Sequence, residues 1–294
     1  NNILIPNDKE GAMNLYLYSR NGQLIRKIGN NNTVITDVYG INDATGEVYY
    51  QAALPTPHDR KVFVSKKNGS VEELTKQEGW SQARFSGDFK YFLNTWSNYN
   101  TPFVFTIRDN QGKVLSTPIN NEKLKNKIAN YDWAKREAFT FTTSEGIQLD
   151  GWMMKPLNFN PAKRYPVVLF QYSGPGSQQV INSWNAGSMG QGGAFDAYLA
   201  QNDIIVVCVD GRGTGGREAA FEKATYLQLG RLEAKDQVET ALWLGKQSYV
   251  DKDKIGIWGW SFGGFNTLMS MSEGRKVFKA GVAVAAPTDW KFYD

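Results

Sequence analysis

The chain has 294 residues, which at roughly 150 residues per domain suggests two domains; 41% apolar and 21% charged residues are ordinary for a chain with a buried core. Its net charge of +4 is scattered and gives no basis for nucleic-acid binding, and no apolar run approaches the ~18 residues of a membrane helix. One cysteine, Cys208, and one histidine, His58, exclude an internal disulfide, a cysteine-rich zinc site and a multi-histidine metal centre, and no cofactor is implied.

The chain begins Asn1-Asn-Ile-Leu4, without Met or a signal-peptide pattern, and stops at Phe292-Tyr-Asp294, just after an apolar strand-like run. Neither end resembles a natural terminus. The expectation is a piece of a longer protein, so a missing signal says nothing about export.

Residues 1–130 read as all-β, in short alternating runs separated by turn residues. One hairpin recurs: Leu15–Tyr18 with Asn21-Gly22 and Leu24-Ile25, then Val62–Val64 with Asn68-Gly69 and Val71, then Phe103–Phe105 with Gln111-Gly112 and Val114-Leu115. The spacings from Leu15 to Val62 to Phe103 are 47 and 41 residues. A second hairpin lies between them, as Asp37–Tyr39 with Gly46–Tyr50 and as Ala83–Phe85 with Gly87–Phe92. A period of ~40–50 residues holding about four strands is the mark of a β-propeller blade. Closure needs roughly 4–8 blades, so these residues read as the C-terminal blades of a partial propeller. A small β-sandwich is the rival. His58, in the Pro-broken stretch Leu54-Pro-Thr-Pro-His58, reads as a surface or loop residue.

From residue 131 to 294 apolar runs alternate with helical ones. Tyr165–Tyr172, Ile204–Val209, Ile255–Trp260 and Ala280–Ala285 read as buried strands. Cys208 falls inside the second of them, as a buried, inert thiol. A helix is expected over about Arg231–Lys246, with Leu232, Val238, Ala241, Leu242 and Gly245 on its apolar face. Another runs from Phe262 to about Ser272. The alternation predicts a parallel sheet covered on both faces, with its site at the C-terminal strand ends. Gly211-Arg-Gly-Thr-Gly-Gly216 fits G-x-G-x-x-G, but the acid that dinucleotide binding requires would be Asp236, inside a helix with no intervening strand. A tight, charged surface turn is the better reading.

Gly259-Trp-Ser261-Phe-Gly263-Gly264 fits G-x-S-x-G and, following a strand and opening a helix, has the context of a nucleophile elbow. Glycines at 259 and 263 suit a chain that doubles back, and the helix N-terminus favours developing negative charge. The Phe262 N–H, next after the serine, is one oxyanion donor. Tyr172, at the end of an earlier strand, is placed to offer its phenol as a second, although a tyrosine there is more often a packing residue.

Tyr172-Ser-Gly-Pro-Gly-Ser-Gln-Gln, Asp210-Gly-Arg-Gly-Thr-Gly, the elbow, and Phe278 through Pro287-Thr-Asp-Trp290-Lys-Phe-Tyr293-Asp, in that order, resemble the dipeptidyl peptidase IV branch of the prolyl oligopeptidase family. The resemblance implies a propeller followed by the N-terminal part of an α/β-hydrolase sheet. It implies Ser261 as nucleophile, Tyr172 as oxyanion donor, and Trp290 and Tyr293 near the pocket for a P1 proline or alanine. Two departures stand out: Phe262 where relatives usually carry Tyr, and Ala-Ala-Pro287 where they often carry Ala-Pro-Val.

A serine nucleophile needs a base, in the order Ser, Asp/Glu, His along such a chain. Only 33 residues follow Ser261; they hold the acids Glu273, Asp289 and Asp294 but no histidine. His58 is upstream, in the wrong order. The triad Asp and His are therefore expected downstream of Asp294, and the glutamates that hold a substrate amino terminus upstream of Asn1. The expected parent is an exopeptidase releasing dipeptides after Pro or Ala, with this piece inert. Tripeptidyl or acylaminoacyl peptidases of the family, and a catalytically dead propeller-hydrolase binding protein, are the alternatives. The resemblance implies peptide substrates, export to the periplasm or cell surface, and room for a homodimer. Asn31-Asn-Thr33 and Asn68-Gly-Ser70 fit glycosylation sequons, matches that chance supplies in an Asn-rich chain.

Overall fold

Alternating residues put one face of each strand toward a neighbouring sheet, and glycines at the turns let the chain reverse within a few residues. The computed structural model describes residues 2–30, 32–188 and 193–293. The chain divides into two compact units, the first being Asn1–Lys127 with Ile181–Trp184 and Gly216–Ala220, and the second the remainder.

The first unit holds three antiparallel sheets, each with its strands in chain order. The first sheet is β1 (Ile3–Asn7), β2 (Asn14–Tyr18) and β3 (Leu24–Ile28). The second is β4 (Val34–Asn42), β5 (Glu47–Ala53), β6 (Lys61–Ser65) and β7 (Val71–Glu73). The third is β8 (Trp80–Phe85), β9 (Tyr91–Asn98), β10 (Thr101–Asp109) and β11 (Val114–Ile119). The recurring hairpin is one geometry used three times. The N–H groups of Gly22, Gly69 and Gly112 donate to the carbonyls of Ser19, Lys66 and Asp109, three residues back, at 3.0 Å in each case.

Period-two alternation decides between propeller and sandwich. Tyr50 and Phe63 face one way, into a core with Leu15, Ile28 and Val48. Tyr49, Val62 and Val64 face the other way, into a core with Leu74, Ala83 and Phe92. The middle sheet thus buries both faces, one against each neighbouring sheet, as successive propeller blades do and a two-layer sandwich does not.

One expectation for this region is corrected and one is sharpened. Residues 122–129 form a helix, α1 (Glu122–Ala129), with no buried residue, so the stretch to residue 130 is not all β. Its signals are electrostatic: Glu122 in the first turn, Lys127 in the last, and Asn120 Oδ1 accepting from the Glu122 N–H at 3.1 Å. His58 does lie in a loop, between β5 and β6, but it is buried rather than on the surface, and its carbonyl accepts from the Asn182 N–H at 2.8 Å. Asn68 spends its side chain on the β6–β7 turn, accepting from the N–H and hydroxyl of Ser70. Asn31 lies outside the described residues.

The second unit is built on one six-stranded sheet. Its strands are β12 (Arg136–Thr142), β13 (Gln148–Met154), β14 (Tyr165–Phe170), β15 (Ile205–Asp210), β16 (Val250–Trp260) and β17 (Ala280–Val284). Their order is β12-β13-β15-β14-β16-β17. The four later strands are parallel, but β12 and β13 form an antiparallel hairpin and β13 runs antiparallel to β15. The sheet is therefore mixed, not parallel throughout; a hairpin needs no crossover helix, so strand-helix alternation carried no trace of it. Coverage is also incomplete: along β17, residues 280–283 are exposed, Val282 at 57%.

The helices are α2 (Ala194–Gln201), α3 (Ala219–Glu222), α4 (Arg231–Leu244) and α5 (Phe262–Ser272). The core joins Leu149, Leu169 and Val207 of the sheet to Val238, Ala241 and Leu244 of α4. The expected apolar face of α4 is partly wrong. Leu242 is 37% exposed, while Glu233, Asp236, Gln237 and Thr240 are fully buried. Burial pushes the Glu233 carboxyl up to about 7; its Oε2 accepts from the Gly230 N–H at 2.9 Å, closing the helix start. Cys208 is fully buried in β15, where burial pushes its thiol well above the ordinary value. Among the described residues, no helix is long and apolar enough to cross a membrane.

Candidate active site

The C-terminal ends of β14, β15, β16 and β17 carry every sequence-predicted site residue or the loop beside it. Three of these ends hold a non-glycine residue at positive φ: Ser173 (60°) after β14, Ser261 (57°) after β16 and Ala285 (47°) after β17. Such conformations cost of order 1–3 kcal/mol each and persist only where surrounding structure enforces them.

Ser261 occupies the junction between β16 and α5 at φ 57°, ψ −118°. Its N–H donates to the Val284 carbonyl at 2.9 Å, and its carbonyl accepts from the Phe265 N–H at 3.0 Å. The turn closes only because its glycines are bare. A Cβ on Gly259 would lie 2.5 Å from the carbonyl oxygens of both Gln171 and Gly263, and one on Gly263 would lie 2.5 Å from the Gln171 oxygen. Backbone therefore meets backbone at this turn. Phe262, as the first residue of α5, has no carbonyl within the helix to receive its N–H.

Tyr172 and the aromatic residues predicted from the sequence form one continuous cluster. The Tyr172 and Phe262 rings lie 6.1 Å apart. Phe262 packs on Trp290 at 5.6 Å and on Phe265 at 5.5 Å, Phe265 meets Trp290 edge-on at 5.0 Å, and Trp290 meets Tyr293 edge-on at 5.3 Å. The Phe262 ring is buried, whereas Tyr293 is 60% exposed. Trp290 opens a short 3-10 turn whose start is held by Asp289 accepting from the Lys291 N–H. A cleft of about 780 Å³ is lined by Trp290, Pro175-Gly176 and Leu227–Leu229.

Sequence reasoning missed the supports. Asp210, at the end of β15, accepts from the Gln179 N–H at 2.9 Å and the Val180 N–H at 2.7 Å, fixing the far end of the loop that Tyr172 opens. The glycine-rich turn is not a surface loop: Gly211, Gly213, Thr214 and Gly215 are buried. It zips against the Tyr172 loop, with Gly176 N–H to Gly213 O and Gly215 N–H to Ser177 O, both 2.8 Å. Asp236 is engaged by Arg212, which reaches it through Nη2 at 2.7 Å and through its backbone N–H at 2.7 Å. The acid that a nucleotide ribose would need is thus spent on holding this turn. The only sequence signal was the Asp-Gly-Arg-Gly order, whose meaning depends on a partner 24 residues away.

The downstream acids are committed elsewhere. Glu273 pairs with Arg275, which also reaches Glu239, and Asp289 serves its turn. Asp294 lies outside the described residues. Among the described residues, no cluster of three or more metal-ligating side chains occurs.

Residues 195–294 match the family model described as the prolyl oligopeptidase family, and residues 1–103 match that of the dipeptidyl peptidase IV N-terminal region. A solved structure of Porphyromonas gingivalis dipeptidyl peptidase 4 superposes with a TM-score of 0.93 at 39% identity, covering 100% of this chain and 41% of that one. The "Probable dipeptidyl-aminopeptidase B" of Coccidioides posadasii is 38% identical over 265 residues, 85% of this chain and 27% of its own length. The "Probable dipeptidyl peptidase 4" of Aspergillus flavus is 32% identical over 294 residues, 98% of this chain and 37% of its own length. The chain therefore spans well under half the length of the relatives it matches.

Proposed function

The chain belongs to the prolyl oligopeptidase family, in a dipeptidyl peptidase IV-like branch, and from that premise we propose that the whole protein is a serine exopeptidase releasing amino-terminal dipeptides after Pro or Ala. The observation that carries the reading is Ser261 in a strained strand-to-helix turn, with Tyr172 and Phe262 in one aromatic cluster beside it.

The Ser261 oxygen attacks the carbonyl carbon of the second residue while a base takes its proton. The tetrahedral oxyanion is met by the Phe262 N–H and the Tyr172 phenol, both donors. Collapse expels the shortened peptide as an amine, which takes up the proton the base received from the serine; water, giving its proton to the same base, then hydrolyses the acyl-enzyme and frees the dipeptide. Trp290 and Tyr293 offer flat apolar surface to a proline ring. No histidine follows Ser261 in these 294 residues, so the proposed mechanism draws its base and orienting carboxylate from the remainder of the whole protein. The sole histidine, His58, sits between β5 and β6, against the family's chain order, and the 294 residues alone are expected to be inert. Export to the periplasm or cell surface, and a homodimer, complete the proposal.

Tyr172→Phe in the whole protein is expected to lower kcat on the order of 10²–10³-fold with little change in KM, because the lost donor serves the oxyanion more than the ground-state carbonyl. Steady-state kinetics with a Gly-Pro 4-nitroanilide would check it; an unchanged kcat removes Tyr172 from the mechanism.

Specificity is tested with three amides: Gly-Pro, acetyl-Gly-Pro and a tripeptidyl one. Turnover of the first alone supports the dipeptidyl reading. Efficient turnover of the acetylated or tripeptidyl amide assigns the other peptidase classes, and turnover of none supports a catalytically dead binding protein.

A further inference from the structure

The residue before Tyr172 is a glutamine whose side chain is fully buried. Its backbone N–H donates to the Trp258 carbonyl at 3.1 Å, continuing the β14–β16 ladder toward the elbow. Its side-chain amide then turns to α5. Nε2 donates to the Gly263 carbonyl at 2.7 Å and to Thr267 Oγ1 at 3.0 Å, and Oε1 accepts from Asn266 Nδ2 at 2.9 Å. Thr267 Oγ1 in turn donates to the same Gly263 carbonyl at 2.8 Å. Asn266 and Thr267 are as buried as Gln171.

Two features make this more than filler. A buried primary amide is costly unless satisfied, and a valine or leucine at Gln171 would fill an apolar strand end without that demand. The amide also joins the two pieces of chain that carry the two oxyanion donors. Tyr172 follows it directly, and Gly263 follows Phe262 directly.

We propose that Gln171 is a positioning residue that sets the Tyr172 phenol at a fixed distance from the Ser261–Phe262 turn, so that both donors meet one oxyanion. This rests on the reading of Ser261 and Tyr172 given above. A strand end held by its backbone ladder and packing alone could shift by up to about 1 Å, and a misplacement of that size is enough to cost ~10²-fold in rate. Gln171 touches no substrate; it acts through Tyr172.

The test is a double-mutant cycle in the whole protein, assayed with Gly-Pro 4-nitroanilide. Gln171→Leu is expected to lower kcat roughly 10–100-fold at nearly constant KM, and to weaken a dipeptide boronate, which forms a tetrahedral adduct, by a similar factor. In a Tyr172→Phe background the same substitution is expected to do almost nothing, because the group it positions is gone. Full additivity, or a change confined to KM or thermal stability, overturns the proposal. Asn266→Ala, which keeps the bonds to Gly263 and Thr267, serves should Gln171→Leu fail to fold. Its smaller loss must also vanish in the Tyr172→Phe background, and persistence there overturns the proposal. Failure of the underlying reading looks different, since Tyr172→Phe itself would then leave kcat unchanged.

Discussion

Ser261→Ala in the whole protein is expected to lower kcat toward Gly-Pro 4-nitroanilide by about 10⁶-fold, with substrate binding changed only a few-fold. The size of the loss follows from the serine, its base and its orienting carboxylate acting as one unit, so that removing the nucleophile removes the covalent route entirely. On the proposed mechanism a residue of catalysis over water, about 10³–10⁴-fold, should survive, because the proposed donors, the Phe262 N–H and Tyr172 phenol, remain to meet an oxyanion formed by direct water attack. Single-turnover kinetics and mass spectrometry check both halves: no acyl-enzyme should form on the variant, while binding of an uncleavable dipeptide analogue persists. The alanine takes the same positive-φ turn with no larger side chain, so a folding defect is not the expected cause of the loss. Activity within tenfold of the parent would dismiss the elbow as a nucleophile.

The second large effect concerns stability. Arg136 of β12 and Asp196 of α2 form an ion pair at 3.1 Å with side chains 1% and 0% exposed. Asp196 Oδ2 also accepts from the Ser188 N–H at 2.9 Å, and the Arg136 guanidinium lies 5.1 Å from the Trp152 ring centre. The chain is shaped around the pair, since a Cβ on Gly193 would sit 1.4 Å from Arg136 Nη2. Asp196→Ala takes away the carboxylate that pairs with the buried Arg136 guanidinium. The expected cost is about 3–5 kcal/mol, or a fall of roughly 6–20 °C in the unfolding midpoint of this unit. Arg136→Met with Asp196→Leu removes both charges and should recover much of that loss, because dehydrating an ion pair offsets most of its attraction. Calorimetry on the two variants checks this. A double variant as unstable as Asp196→Ala would mean that shape, not charge, holds the joint.

What could be read from the chain and what could not divide along a physical line. The hairpins with Gly22, Gly69 and Gly112 were legible because their turns are decided by adjacent residues. The elbow was legible for the same reason: strand, glycine, serine, glycine and helix follow one another without a break. Leu242 misled because helical periodicity assumes that apolar side chains mark the buried face. On α4 the burial is shared with Glu233, Asp236 and Gln237, which bond to the Gly230 N–H, Arg212 and the Val209 carbonyl. Arg136, Asp196 and Gln171 were silent because each depends on a partner 60 or more residues away. The roles of Trp290 and Tyr293 came from resemblance, and their cluster with Phe262 is the geometric support for that proposal.

The lone thiol of this chain has a practical side. Cys208 sits at the centre of the sheet, fully buried and hard to deprotonate. Under native conditions a thiol reagent should pass it by, so a cysteine introduced on the surface of this chain could be labelled singly without first deleting the natural one. In denaturant the order reverses: Cys208 becomes reactive only when β15 leaves its neighbours. Its rate of modification would then report opening of the sheet directly, one strand removed from the serine.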